Sequence, residues 1–241
     1  MNLYLGDCLV EMSKIQSGTV DLVCADMPYG TTNCKWDSCI PLEQVWAQID
    51  RIIKPNAAVV LFAQTPFDKV LGVSRLDWLR YEWIWEKTNA TGFFNAKKMP
   101  LKAHENILVF YKSLPQYFPI KTTGHPRKTA GRKPVDSEVY GKAVHKTFYD
   151  STERYPRSVL KVKSDKLVNS LHPTQKPIEL LEYLISTYSK PNDVVLDFCM
   201  GSGTAGVACQ NLERKFIGIE KESKYFDIAL NRLNENKKVA A

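Results

Sequence analysis

Asp197-Phe198-Cys199-Met200-Gly201-Ser202-Gly203-Thr204-Ala205-Gly206 decides the fold of this 241-residue chain. It lies between Val194-Val195-Leu196, which reads as a strand, and a segment from Thr204 to Leu212, which reads as a helix. Glycines at such a junction let the backbone approach a ligand closely, and the helix N-terminus offers unpaired N–H groups. Gly201, Gly203 and Gly206 fit the spacing G-x-G-x-x-G of dinucleotide-binding loops. A loop that only packs a helix on a strand is the plain alternative. Phe216-Ile217-Gly218-Ile219 reads as the next strand and Glu222 to Asn236 as a closing helix. Between them Glu220 stands where an acid can take a ribose diol, in a dinucleotide or any other nucleoside cofactor.

Asp197 weighs against a dinucleotide. A carboxylate at the strand end is poorly placed for a doubly anionic pyrophosphate and well placed for a cationic amino group. S-adenosylmethionine carries such a group and no phosphate, so the methyl-donor reading is preferred over NAD or FAD.

Outward from the loop, the same alternation continues. Leu3-Tyr4-Leu5 reads as a short strand, Cys8 to Gln16 as a helix and Val20 to Ala25 as a buried strand. Leu42, Val45, Trp46, Ile49, Ile52 and Ile53 fall at helical spacing behind Pro41. Lys54-Pro55-Asn56 is expected to end that helix, with Ala57 to Phe62 a buried strand and a Pro66-led helix after it. Tyr81–Glu86 and Asn106–Tyr111 read as strands. Ile178, Leu181, Leu184, Ile185 and Tyr188 form one helical face after Pro177. The expected fold is α/β: a mostly parallel sheet with helices on both faces.

Charge divides the chain. Residues 112–170 hold thirteen Lys/Arg against five Asp/Glu, a net +8, while the remainder is −1. Tyr117, Phe118, Tyr140, Phe148, Tyr149 and Tyr155 are interleaved there. Cations neutralise phosphates and aromatics stack on bases, so this inserted lobe reads either as a nucleic-acid surface or as a solvated loop region. The divisions expected are 1–111, the basic insertion 112–170, and 171–241. The first residues do not read as a signal peptide, and no apolar run reaches membrane length. The six cysteines, without framework spacing, suit a reducing cytoplasm. Cys34 and Cys39 form half a metal pattern with nothing to complete it, so no metal is expected.

Asp26-Met27-Pro28-Tyr29 ends the second strand, where open α/β sheets put their ligands. Alone it reads as a turn. Beside a methyl-donor loop it offers two acceptors for an exocyclic amine, the Asp26 carboxylate and the carbonyl of residue 27. Tyr29 adds a ring on which an extruded base can stack.

With these residues in place the chain resembles the amino-group DNA methyltransferases that modify adenine N6 or cytosine N4. Asp26-Met27-Pro28-Tyr29 matches three of four positions of their [Asp/Asn/Ser]-Pro-Pro-[Tyr/Phe/Trp] motif; Met27 replaces the first proline and retains the carbonyl. Asp197 to Gly203 is similar to the donor-binding loop. His172-Pro173-Thr174-Gln175-Lys176-Pro177 resembles the motif that helps enclose the donor, and Gly6-Asp7-Cys8 the segment that contacts the donor adenine. The order, catalytic turn first and donor loop last, resembles the permuted beta group, and the Thr31–Asp37 extension the short enzymes of phages and prophages.

The resemblance implies a Rossmann-like S-adenosylmethionine-dependent methyltransferase fold with permuted motif order, acting in the cytoplasm on double-stranded DNA and allowing a homodimer. It implies catalytic roles for Asp26, Met27, Pro28 and Tyr29. Donor contacts are implied for Asp7, Cys8, Asp26, His172, Thr174, Lys176, Pro177, Asp197, Phe198, Gly201, Ser202, Gly203, Thr204 and Glu220. In the family an aspartate at position 26 goes mainly with adenine, a serine mainly with cytosine, and transfer is direct and in line. Residues 112–170 correspond to the target-recognition segment. The stretch Thr88–Lys102, with Phe93, Phe94, Lys97 and Lys98, reads either as a wall beside the flipped base or as an ordinary surface loop.

Overall fold

The computed structural model describes residues 1–30, 38–138, 141–143, 146–164 and 175–239. Its elements are β1 (Asn2–Leu5), α1 (Cys8–Ser13), β2 (Val20–Ala25), α2 (Leu42–Ile52), β3 (Ile53–Ala63), α3 (Phe67–Ser74), β4 (Leu79–Thr91) and β5 (Lys102–Phe110). There follow β6 (Lys128–Arg132), β7 (Val135–Ser137), β8 (Gly141–Ala143), β9 (Thr147–Ser151) and β10 (Val159–Val162). The chain closes with α4 (Ile178–Tyr188), β11 (Val194–Asp197), α5 (Thr204–Asn211), β12 (Lys215–Glu220) and α6 (Ser223–Val239).

Contacts divide the chain into two compact units, Met1–Phe118 with Ser158–Ala241, and Pro119–Arg157. In the first, eight strands form one sheet in the order β1-β12-β11-β2-β3-β5-β4-β10, and only β5 runs against its neighbours. The expected α/β fold is the one observed. The apolar strands lack polar alternation because both faces are covered. On β3, Val59 and Leu61 pack with Trp46, Ile49 and Leu71, while Val60 and Phe62 pack with Leu180, Leu184 and Tyr188. Each such side chain, fully buried, stabilises the fold by ~1.5–3 kcal/mol. The chain steps from β2 to β3 on one side and from β11 to β12 on the other, so β2 and β11 flank the switch point where such sheets bind ligands.

Three elements differ from the sequence pattern. Helix α1 stops at Ser13 instead of Gln16, because its last turn tightens and Arg51 takes the carbonyls of Met12 at 2.8 Å and Ile15 at 2.7 Å. Lys54-Pro55-Asn56 does not separate helix from strand: β3 begins at Ile53, and its register against β2 shifts between Val20 and Leu22. There Lys54 reaches Asp21 at 2.6 Å, and Asp21 also accepts the Val194 N–H of β11. At Thr88–Lys102 the loop is shorter than expected: β4 runs on to Thr91, β5 starts at Lys102, and Gly92, at φ +89°, starts the tip of the hairpin they form.

The second unit, Pro119–Arg157, pairs β6 with β9 and β7 with β8. Arg127 clasps Asp150 with two hydrogen bonds of 2.7 and 2.6 Å, and none of the unit's described residues is buried. This unit is narrower than 112–170, because Val159–Val162 pairs in parallel with β4 as the edge of the main sheet. Among the described residues no helix is long and apolar enough to cross a membrane.

Candidate active site

The carboxyl edge of the parallel strands surrounds a cavity of about 650 Å³, within the range of small-molecule sites. Register explains what meets there. Leu196 of β11 pairs with Val23 of β2, so Asp197 and Asp26, one and three residues further on, emerge at neighbouring strand ends. Both line the cavity. The two motifs, 171 residues apart in sequence, therefore open into one space.

At the β11 end the loop is shaped by packing. Gly203 has φ +76°, and a Cβ there would stand 2.9 Å from the Cβ of Ala229. A Cβ at Gly206 would stand equally close to Leu233 and Phe216, so its glycine serves the packing of α5. Burial pushes the Asp197 carboxyl up to about 8; the Cys199 N–H, at 3.0 Å, opposes that rise and the charges of Asp26 and Glu220 add to it. Burial also raises Glu220, although its carboxylate accepts the N–H groups of Gly201 at 2.9 Å and Glu222 at 2.8 Å. A buried acid, Asp197, and a half-buried one, Glu220, thus face the cavity, and the Gly201 N–H that a pyrophosphate would need is already given to Glu220. The loop fits a cation flanked by a diol and does not fit a dinucleotide.

At the β2 end Asp26 is held on both oxygens. Tyr29 donates its hydroxyl to Oδ1 at 2.5 Å, and Lys176 donates its ammonium to Oδ2 at 2.5 Å. Tyr29 stacks on Phe67, with ring centroids 5.3 Å apart. Behind Lys176 stand Glu105 at 3.2 Å and, on the far side of Glu105, Lys87 at 2.6 Å. Burial alone would raise Glu105, but the Lys176 and Lys87 charges outweigh it and hold the carboxyl down at about 2. Burial likewise works against the Lys176 ammonium, and Asp26 and Glu105 overcome it.

Of the residues named from sequence, Asp7, Cys8, Met27, Pro28, Phe198, Gly201, Ser202, Thr204 and Glu220 also line the cavity, with Lys176. Asp7 caps α1 through the Leu9 N–H at 3.0 Å and lies 3.7 Å from Lys221. Gly203 and Pro177 stand outside the lining: the first turns the chain against α6, the second precedes the first turn of α4. His172 and Thr174, like Thr31–Asp37, lie outside the described residues. Sequence reasoning missed Glu105 and Lys87. The signal was present: Lys87 continues the face of Trp83 and Trp85 on β4, and Glu105 opens the apolar run of β5. A charge in phase with a buried face needs a partner.

Comparison with known proteins gives a consistent picture. Residues 20–231 match the family of N6/N4-type methylases, described as DNA methylase. The chain is 29% identical to the type II methyltransferase M.HinfI of Haemophilus influenzae, over 96% of this chain and 68% of that protein. It is 28% identical to the type II methyltransferase M1.MboII of Moraxella bovis, over 95% and 96%. The crystal structure of the M1.HpyAVI–SAM complex superposes with a TM-score of 0.67 at 30% identity, covering 97% of this chain and 98% of that one. The PvuII DNA methyltransferase, cytosine-N4-specific, shares the fold at a TM-score of 0.71 and 15% identity, over 98% and 90%.

Proposed function

The chain belongs to the N6/N4-type DNA methylase family, and on that premise we propose that it transfers a methyl group from S-adenosylmethionine to the N6 amine of adenine in double-stranded DNA. One observation carries this reading. The acceptor turn at Asp26 and the acid-lined loop at Asp197 share a cavity large enough for the donor and the reacting edge of a base.

In that cavity Asp197 would hold the donor's amino group, Glu220 its ribose diol and Asp7 its adenine amine. S-adenosylmethionine supplies a methyl on sulfonium: the C–S bond breaks as the N–C bond forms, and the electron pair stays on sulfur. The protein's part lies with the acceptor. An aromatic amine is a poor nucleophile because its lone pair is delocalised into the ring. Hydrogen bonds from its two N–H groups to Asp26 Oδ1 and to the carbonyl of Met27 favour the pyramidal nitrogen that attacks. The proton released on transfer passes to Asp26 and then to water. Catalysis rests on orientation and on acceptors fixed in advance.

Aspartate at position 26 supports adenine over cytosine, and the order of turn and loop supports the permuted, beta group. The exposed Phe93 and Phe94 at the β4–β5 tip, with Lys97 and Lys98 beside them, support a DNA-facing role for that hairpin. The unit Pro119–Arg157, with nine Lys/Arg and four Asp/Glu, supports phosphate contact.

Methylation-aware sequencing of DNA from cells expressing the protein tests base and atom together. N6-methyladenine at one short sequence is expected, absent with Asp26→Ala. N4-methylcytosine would overturn the choice of base, and unmodified DNA from both would overturn the activity.

A further inference from the structure

Asp26 is the end of a line of four alternating charges. Lys87, Glu105, Lys176 and Asp26 follow one another at 2.6, 3.2 and 2.5 Å, and the first three side chains are at most 10% exposed. They come from β4, from β5 and from the segment before α4, so three separate parts of the chain converge on one carboxylate. Burying three ionised groups is costly unless each has a partner, and this arrangement supplies one at every step. The Phe62 ring, 5.1 Å from the Lys176 ammonium, closes off its apolar side.

The two oxygens of Asp26 are not equivalent. Lys176 on Oδ2 is itself fixed by Glu105, whereas Tyr29 on Oδ1 offers a neutral hydroxyl on a turn that lines the cavity. The charged bond is the stronger of the two. An incoming amine therefore displaces the Tyr29 hydroxyl from Oδ1 and leaves the ammonium on Oδ2. We propose that Lys176 is a positioning residue for methyl transfer: it clamps Asp26 so that Oδ1 alone meets the amine, and Glu105, held by Lys87, aims the clamp. Lys176 thereby acts at the acceptor end of the cavity and not on the methyl donor. This rests on the reading of Asp26 as the amine's acceptor.

Electrostatics predicts opposite shifts in two variants. Lys176 and Tyr29 touch Asp26; Asp197 and Cys24 feel its charge. In Lys176→Met the carboxylate loses its counter-ion and keeps acidic neighbours, so it binds protons more tightly. In Glu105→Gln the ammonium is left wholly to Asp26, which binds protons less tightly.

The test measures kcat against pH with radiolabelled donor and unmethylated plasmid DNA, alongside S-adenosylhomocysteine affinity by titration calorimetry. Expected for Lys176→Met is a kcat lower by about 100-fold, an acid limb moved up by about one pH unit or more, and an unchanged Kd. For Glu105→Gln the acid limb moves down. Lys176→Arg, which keeps the charge, returns the limb towards its original place. An acid limb that stays put in both Lys176→Met and Glu105→Gln overturns the proposal, as does a loss in Lys176→Met confined to S-adenosylhomocysteine affinity. If Lys176→Met does not fold, the sign in Glu105→Gln and the Lys176→Arg profile decide alone. Wild-type rates in Asp26→Ala would instead defeat the underlying reading of Asp26.

Discussion

Asp197 is expected to couple protonation to ligand binding. Its carboxyl, at about 8 in the folded protein against an ordinary 3.8, is mostly protonated at neutral pH. The sign follows from linkage. This group's contribution to stability is fully present below about pH 4 and is lost as pH rises towards 8. Asp197→Asn is therefore expected to be more stable than wild type at pH 8 and equal to it at pH 4, which thermal melts at both values check. A ligand ammonium placed beside Asp197 ionises it, so S-adenosylhomocysteine binding at pH 6.5 is expected to release up to one proton. Calorimetry in buffers of different ionisation enthalpy reads that proton, and Asp197→Asn abolishes it. That Asp197 and Glu220 face a ligand cavity was legible in the sequence, because a carboxylate at a strand end beside a glycine loop has few uses. The meeting of Glu105 and Lys87 with Lys176 was not, because nothing local says which buried charges will meet across three elements.

At the level of elements, Gly203 and the β4–β5 tip carry separable predictions. Alanine at Gly203 meets both a left-handed backbone and the Cβ of Ala229, whereas alanine at Gly18, at φ +67°, meets only the backbone strain. Gly203→Ala is expected to cost about 2–3 kcal/mol and Gly18→Ala about 1 kcal/mol. Denaturant unfolding measures the difference. Phe93 and Phe94 stand on the tip at 80% and 102% exposure, and Asn95 beside them lines the cavity. Replacing both phenylalanines by alanine is expected to raise the DNA KM about tenfold or more, as loss of a stacked base would. Donor affinity should not change. Most element types were readable because apolar period and Pro/Gly punctuation agree along the flanking blocks. The boundaries at Ser13 and Ile53 were not: one depends on Arg51, 38 residues away from Ser13, and the other on Asp21 across the sheet.

For the whole molecule, charge asymmetry predicts that the salt dependence of DNA binding resides largely in one unit. Lys128, Lys133, Lys142 and Lys146 are exposed within Pro119–Arg157. Replacing all four with glutamine is expected to flatten the slope of log K against log salt by about 0.9 for each phosphate that is no longer neutralised. Binding of S-adenosylhomocysteine stays as in wild type. The net charge of 112–170 was plain in the sequence, but the limits of the separate unit were not, since β10, with Lys161, is an edge strand of the main sheet.

The lack of any buried residue among those described in Pro119–Arg157 has an evolutionary corollary. The main-unit residues that border it in sequence are held within the main unit, Phe118 by the Thr187 carbonyl at 2.8 Å and Ser158 by the Ile84 N–H at 2.7 Å. Substitutions at its described residues leave no buried hole to refill, so mutational drift there is nearly free of folding cost, while drift within the strands of the main sheet is punished on two sides at once. On the reading of this segment as target recognition, descendants of such a chain can rewrite the vocabulary of the sites they mark and inherit the chemistry unaltered.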